Sequence, residues 1–190
     1  MKPFELIHRD NLVAVALLED GDSAGQQAVA RSLWSLLSGD QPHAVDLIYK
    51  KSGQPLLVAS STQSKQADVS FSHDNGQMLA AVSLIGPVGV DLERIIPAFN
   101  WNEIVDTWFA TDEKLWWLAQ PLELRSEAAC QLWTRKEAIA KCLGEGIRWI
   151  EQKVSTLMAS DTGIVTLDLC VPKPLKGALA LTTAPSPGLR

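Results

Sequence analysis

Val88-Gly89-Val90-Asp91-Leu92-Glu93 alternates aliphatic side chains with a glycine and two carboxylates, the period-two pattern of a strand that buries one face. Val90 and Leu92 point into a core, and Asp91 and Glu93 share the other side. Gly86-Pro87 breaks the chain just before this stretch. Upstream, the pattern is strands with one helix. Beyond Asn100 the spacing becomes helical, and two strands close the chain. An α+β fold follows. The order of elements recurs roughly across the two halves, so we expect two similar α/β lobes, 1–86 and 87–190, meeting near Ile85–Pro87.

Working outward, Leu12–Glu19 is predicted as a strand and Ser23–Ser38 as an amphipathic helix, capped at Asp22 or Ser23 and closed by Gly39. Val45–Lys50, Leu56–Ala59, Val69–Ser72 and Met78–Leu84 read as further strands, with Ser60–Gln66 a polar loop and a break at Gly76. Downstream, helices are expected over Trp101–Phe109, over Thr111–Ala119 with Thr111 as N-cap before Glu113, and over about Leu122–Leu143, ended by Gly144 and Gly146. Ile164–Cys170 and Ala178–Thr183 are the last strands.

With 46% hydrophobic content, the 190 residues can build one good-sized core or two small lobes sharing one. The formal charge of −5 argues against a nucleic-acid surface, which would show a basic stripe. Cys130, Cys142 and Cys170 are widely spaced and lack a C-x-x-C pair, so neither a disulfide framework nor a zinc site is indicated. Met1-Lys2-Pro3-Phe4-Glu5 does not begin a secretory signal, and the apolar run Leu12–Leu18 is too short to span a bilayer. A soluble cytoplasmic protein without membrane contact is expected.

Three stretches carry chemistry. Asp91 and Glu93 on one strand face repel each other unless a cation sits between them, and a hard oxygen-binding ion such as magnesium commonly uses one or two carboxylates. The competing reading is a solvated strand end. In Trp133-Thr134-Arg135-Lys136-Glu137-Ala138-Ile139-Ala140-Lys141, the helical spacing aligns Trp133, Glu137 and Lys141 on one stripe, with Leu132, Ile139 and Leu143 on the buried side. An exposed Glu137–Lys141 ion pair would give the same pattern. Val69-Ser70-Phe71-Ser72-His73-Asp74 brings a hydroxyl and an imidazole to a strand end, where they can hold a phosphate oxygen or simply serve the loop.

Together with Gly53-Gln54-Pro55 and Trp108-Phe109 followed by Asp112-Glu113, these stretches resemble, in order and spacing, the 4′-phosphopantetheinyl transferase superfamily, in particular its two-lobed single-chain branch of the surfactin-synthetase-activating type. The matching pieces run from Gly53 to Gly146, about half of the chain. The resemblance implies two lobes related by pseudo-twofold symmetry. It also implies transfer of the phosphopantetheine arm of coenzyme A to a serine of an apo acyl or peptidyl carrier protein. Asp91, Glu93 and Glu137 would then hold magnesium against the pyrophosphate. Lys141 would contact phosphate, Lys136 would assist there or at the carrier, Ser72 and His73 would touch phosphate, and Gly53-Gln54-Pro55 would run beside the adenine.

Magnesium in that setting acts as Lewis acid and template, and Glu137, or a water beside it, is the general base. No enzyme-bound covalent intermediate is needed, and two lobes in one chain can build the site within a monomer. Two residues depart from the family pattern: Asp74 stands where a small hydroxyl is frequent, and Gln54 where a lysine is common. They motivate a second reading, a coenzyme A or carrier-binding relative of reduced turnover. Arg31, Lys50 and Lys51 are the candidates for gripping the 3′-phosphate. Lys114, Arg125 and Arg135, with some of Trp101, Trp108, Trp116 and Trp117, are the candidates for carrier docking.

Overall fold

The computed structural model describes residues 4–19, 22–60, 65–97, 99–157 and 163–182. Six strands, β1 (Phe4–Arg9), β2 (Val13–Glu19), β3 (Val45–Tyr49), β4 (Pro55–Ala59), β5 (Gln66–Asp74) and β6 (Gln77–Ser83), form an antiparallel sheet in the order β1-β2-β6-β5-β4-β3. Helix α1 (Ser23–Ser38) lies against it. Three more strands, β7 (Val88–Arg94), β8 (Ile164–Leu169) and β9 (Leu175–Thr182), form a second antiparallel sheet in the order β7-β9-β8. Between β7 and β8 come α2 (Asn102–Trp108), α3 (Thr111–Leu118), α4 (Arg125–Leu143) and α5 (Ile147–Ile150).

The layers follow from the burial pattern. Val29, Ala30, Leu33 and Trp34 of α1 pack on Ala14, Ala16, Met78, Ala80 and Val82, one face of the large sheet. The opposite face presents Val13, Val15, Leu17, Leu79 and Ala81 to Val88, Val90, Leu92 and Leu179 of the small sheet. Ala138, Ile139 and Cys142 of α4 cover the small sheet's outer side with Ile164, Ala178 and Ala180. The order is therefore helix, sheet, sheet, helix. Strand β2 is covered on both faces, which is why its sequence is an unbroken apolar run rather than an alternating one. Each sheet carries one long helix on its outer face, with six strands in one and three in the other.

Several boundaries differ from expectation. Strand β1 was not signalled by its sequence, because an edge strand with His8 and Arg9 shows no clean alternation; pairing with β2 fixes it. Thr111 is the first helical residue of α3, and the N-cap is Ala110, whose amide donates to Glu113 Oε2 at 2.8 Å. The segment Leu122–Leu124 is a separate 3₁₀ turn, so α4 starts at Arg125. Leu143 is exposed, while Lys136 lies on the buried side of α4. The last strand begins at Leu175, three residues before the expected start. Thr183 and residues 61–64 of the expected polar loop lie outside the described residues.

Two local features hold β7 in place. At Gly89 an added Cβ would lie 1.9 Å from the carbonyl oxygen of Ala138 and 2.5 Å from the amide of Cys142, so the backbones of β7 and α4 are in direct contact. Along its free edge, β7 meets side chains of β5: the Val90 amide donates to Ser70 Oγ at 3.1 Å and the Leu92 amide to Ser72 Oγ at 3.2 Å. Alternate amides of an edge strand face away from its ladder and need such partners when buried. The two serines therefore join the small sheet to the large one.

Candidate active site

Asp91 leaves β7 on the α4 side, as strand alternation dictates, and is buried. Its Oδ1 accepts from Ser72 Oγ at 2.9 Å and from Lys141 Nζ at 2.7 Å, and Lys141 Nζ also donates to Ser72 Oγ at 2.9 Å. One residue from each of β5, β7 and α4 thus closes a three-membered polar cluster. Lys141 is one-third exposed, with 32% of its side chain accessible, so the cluster lies at the edge of the buried region. The other carboxylate oxygen, Asp91 Oδ2, is buried and makes no hydrogen bond. An orphaned carboxylate oxygen is costly unless a ligand meets it.

Glu93 and Glu137 complete the electrostatic picture. Burial pushes the Glu93 carboxyl up to about 7, and the negative charges of Asp91, Asp74 and Glu137 add to the shift while Lys141 opposes it. Burial, and then Asp91, also raises Glu137, again against Lys141. Four carboxylates therefore act on a space where Lys141 is the opposing cation; Arg94 lies 3.8 Å from Asp74 Oδ2, and Lys176, opposite Glu93 on β9, is paired with Glu127 at 2.6 Å. This excess of negative charge suits a bound cation.

Among the described residues, no three His, Cys, Asp or Glu side chains stand close enough to form a ready-made ion cage. Asp91 Oδ2 is the one buried oxygen left open to a ligand, and Glu93 and Glu137 are the carboxylates electrostatically coupled to Asp91, a set that suits a hard cation completing its shell with water and phosphate. Magnesium fills its shell with water and substrate phosphate instead of a dedicated protein cage.

The remaining expected site residues are distributed unequally. Gln54 reaches α4, where its Nε2 donates to the Lys141 carbonyl at 3.3 Å, and its side chain occupies the space that a Cβ at Gly144 would need. Gly53, with φ of 86°, makes the turn that delivers it, and Pro55 opens β4. His73 is the strand neighbour of Ser72 and so emerges on the opposite sheet face, where its Nε2 lies 3.3 Å from Gln26 Nε2 of α1. The expected Ser72–His73 pair is thus divided between two faces.

Lys136 requires correction. Its side chain is fully buried, Nζ lies 2.8 Å from Glu113 Oε2 and donates to the Val154 carbonyl at 2.8 Å, and its pKa is lowered by burial against the pull of Glu113. Facing the interior and fully engaged, it cannot meet a phosphate arriving from solvent. Glu113 is correspondingly saturated, accepting from Ala110 N, Thr156 N and Thr156 Oγ1 as well. This buried pair fixes α4 to the start of α3 and to the segment after α5.

Of the expected basic groups, Lys51 is exposed in the turn before β4 and the others are engaged locally. Arg31 bonds the Val45 carbonyl and Asp46, Lys50 bonds Asp68 at 2.6 Å, Lys114 bonds the Asp106 carbonyl, Arg125 bonds the carbonyls of Leu118 and Gln120, and Arg135 forms a two-point pair with Asp168. Trp117 is buried, Trp101 and Trp108 are partly buried against the same cluster, and Trp116 is exposed. Asp74 and Arg94 are site residues that the sequence reading did not join. The signal was present in the strand register, since Ser70, Ser72 and Asp74 alternate onto one face.

Comparison with known proteins agrees with this geometry. Residues 87–177 match the 4′-phosphopantetheinyl transferase superfamily. The chain is 28% identical over 159 residues to the 4′-phosphopantetheinyl transferase AcpT of Salmonella typhi, covering 78% of this chain and 80% of that protein. It is 27% identical over 126 residues to the 4′-phosphopantetheinyl transferase HetI of Nostoc sp., covering 66% and 53%. It is 33% identical over 99 residues to the 4′-phosphopantetheinyl transferase psf-1 of Bacillus pumilus, covering 52% and 41%. No helix among the described residues is long and apolar enough to cross a membrane.

Proposed function

We propose that this chain, similar over residues 87–177 to the 4′-phosphopantetheinyl transferase superfamily, is a 4′-phosphopantetheinyl transferase that moves the phosphopantetheine arm of coenzyme A to a serine of an apo acyl or peptidyl carrier protein with the help of magnesium. The observation that carries this reading is the convergence of Asp91, Ser72 and Lys141, with Glu93 and Glu137 acting on the same space. Asp91 Oδ2, Glu93 and Glu137 would hold the metal, which supplies Lewis-acid stabilisation of charge on the phosphate oxygens.

The carrier serine oxygen bonds to the β-phosphorus as the bond from that phosphorus to the bridging oxygen breaks, and 3′,5′-ADP departs. Glu137, or a water beside it, takes the serine proton. Lys141, at the edge of the buried region, stabilises the departing phosphate. Gln54, beside the last turn of α4, would run along the nucleotide as it passes between an N-terminal lobe of residues 1–86 and a C-terminal lobe of residues 87–190. A monomer of the two-lobed, surfactin-synthetase-activating type, working in the cytoplasm, completes the proposal.

The test is intact-mass analysis of apo carrier proteins after incubation with coenzyme A and magnesium. A gain of one phosphopantetheine, lost on chelation and in Asp91→Ala and Glu137→Gln, is expected. Binding of coenzyme A with no transfer to any carrier would replace this reading with that of a relative of reduced turnover. No binding at all would remove the assignment of the substrate.

A further inference from the structure

Ser72 makes more bonds than a substrate contact can spare. It donates to Asp91 Oδ1 at 2.9 Å and accepts from Lys141 Nζ at 2.9 Å and from the Leu92 amide at 3.2 Å. A hydroxyl has one donor and two acceptor sites, so its capacity is exhausted within the protein. It is also buried. We propose that Ser72 is a positioning residue of the transfer site. Its hydroxyl fixes the carboxylate of Asp91 with Oδ1 engaged and Oδ2 alone presented, and ties the strand carrying Asp91 to the large sheet.

The geometry supports this in two independent ways. Oδ2 is the orphaned oxygen of an otherwise satisfied side chain, and rotation of the carboxylate would give up the Ser72 and Lys141 bonds to Oδ1. The neighbouring hydroxyl of Ser70 makes the same bond to the β7 edge, at Val90, without contacting Asp91. Nature thus supplies an internal control: one serine joins the sheets only, the other joins the sheets and aims the carboxylate. Hydrogen-bond partners of metal-binding side chains commonly account for 10–100-fold in metal affinity, because they hold the donor in its binding orientation.

The inference rests on the transfer reading only for the identity of the reaction. Manganese binding, followed by electron paramagnetic resonance, and amide hydrogen exchange, followed by NMR, need neither coenzyme A nor carrier. Removal of the hydroxyl in Ser72→Ala is expected to weaken manganese binding by about tenfold and to speed exchange at the Leu92 amide. Ser72→Thr should restore both. Ser70→Ala should speed exchange at Val90 and leave manganese affinity within about twofold. Should Ser72→Ala not fold, Ser72→Cys, whose thiol fills a similar space but bonds weakly, gives the same comparison. Wild-type manganese affinity in Ser72→Ala would overturn the proposal. With faster Leu92 exchange, that result would reduce Ser72 to a sheet tie; with unchanged exchange and weaker coenzyme A binding, it would make Ser72 a phosphate contact.

Discussion

Replacing Gly89 by alanine tests the claim that the site depends on backbone contact between β7 and α4. The new Cβ would sit 1.9 Å from Ala138 O, and ordinary contact begins at 3.4 Å, so the strand and helix must separate by about 1.5 Å. The atoms it would meet, of Ala138 and Cys142, are helix backbone atoms, which move only with the helix. Overpacking of this kind costs roughly 3 kcal/mol, while loss of a glycine from the unfolded chain returns about 0.5 kcal/mol, because Gly89 does not occupy the left-handed region. The net loss, about 2.5 kcal/mol, corresponds to a fall of roughly 5–10 °C in Tm for a chain of this size. Asp91 and Glu93 on one element and Glu137 and Lys141 on the other separate with it, and a displacement near 1 Å costs on the order of 100-fold in rate. Differential scanning calorimetry and the carrier mass assay read the two effects. A Tm within about 1 °C of wild type, together with full activity, would refute the close-contact argument.

Lys136→Met leaves the Glu113 carboxylate buried without its cation and should cost about 3–5 kcal/mol in urea unfolding, much of it recovered when Glu113→Gln is added. The carboxyl of Glu93 titrates higher in the folded chain, at about 7, than in the unfolded chain, so the native state binds the extra proton between roughly pH 4.5 and 7. Its contribution to stability therefore declines as pH rises through that window. Tm measured against pH should show Glu93→Gln gaining on wild type toward pH 8, and magnesium should raise the wild-type Tm more at pH 8 than at pH 5, where protons compete with the metal. Gly144→Ala, at φ of 70° and facing the Gln54 side chain, should lose about 1–2 kcal/mol in thermal unfolding. Adding Gln54→Ala should relieve the steric part, leaving the double variant more stable than the sum of the two single changes.

Much of this protein is legible in its sequence because strand and helix periods are local properties. The alternation of residues 88–93 placed Asp91 and Glu93 on one side of a strand and the valines on the other. The spacing of Glu137 and Lys141 put both on one stripe of a helix, and Gly39 and Gly144 closed α1 and α4 in left-handed conformation. The family resemblance was readable from those motifs in series. Tertiary structure decided which charges meet across elements, since no local pattern encodes a distance between β5, β7 and α4. Lys136 and Glu137 are adjacent, yet one helical step of about 100° sends Lys136 into the core to Glu113 and Glu137 toward Asp91. Ser72 and His73 are adjacent too, and the strand's half-turn per residue sends one to Asp91 and the other to Gln26. The sequence determined which groups could do the chemistry; packing decided which of them share a site, because burial and charge pairing depend on contacts between segments far apart in the chain, such as Lys141 and Ser72, 69 residues apart.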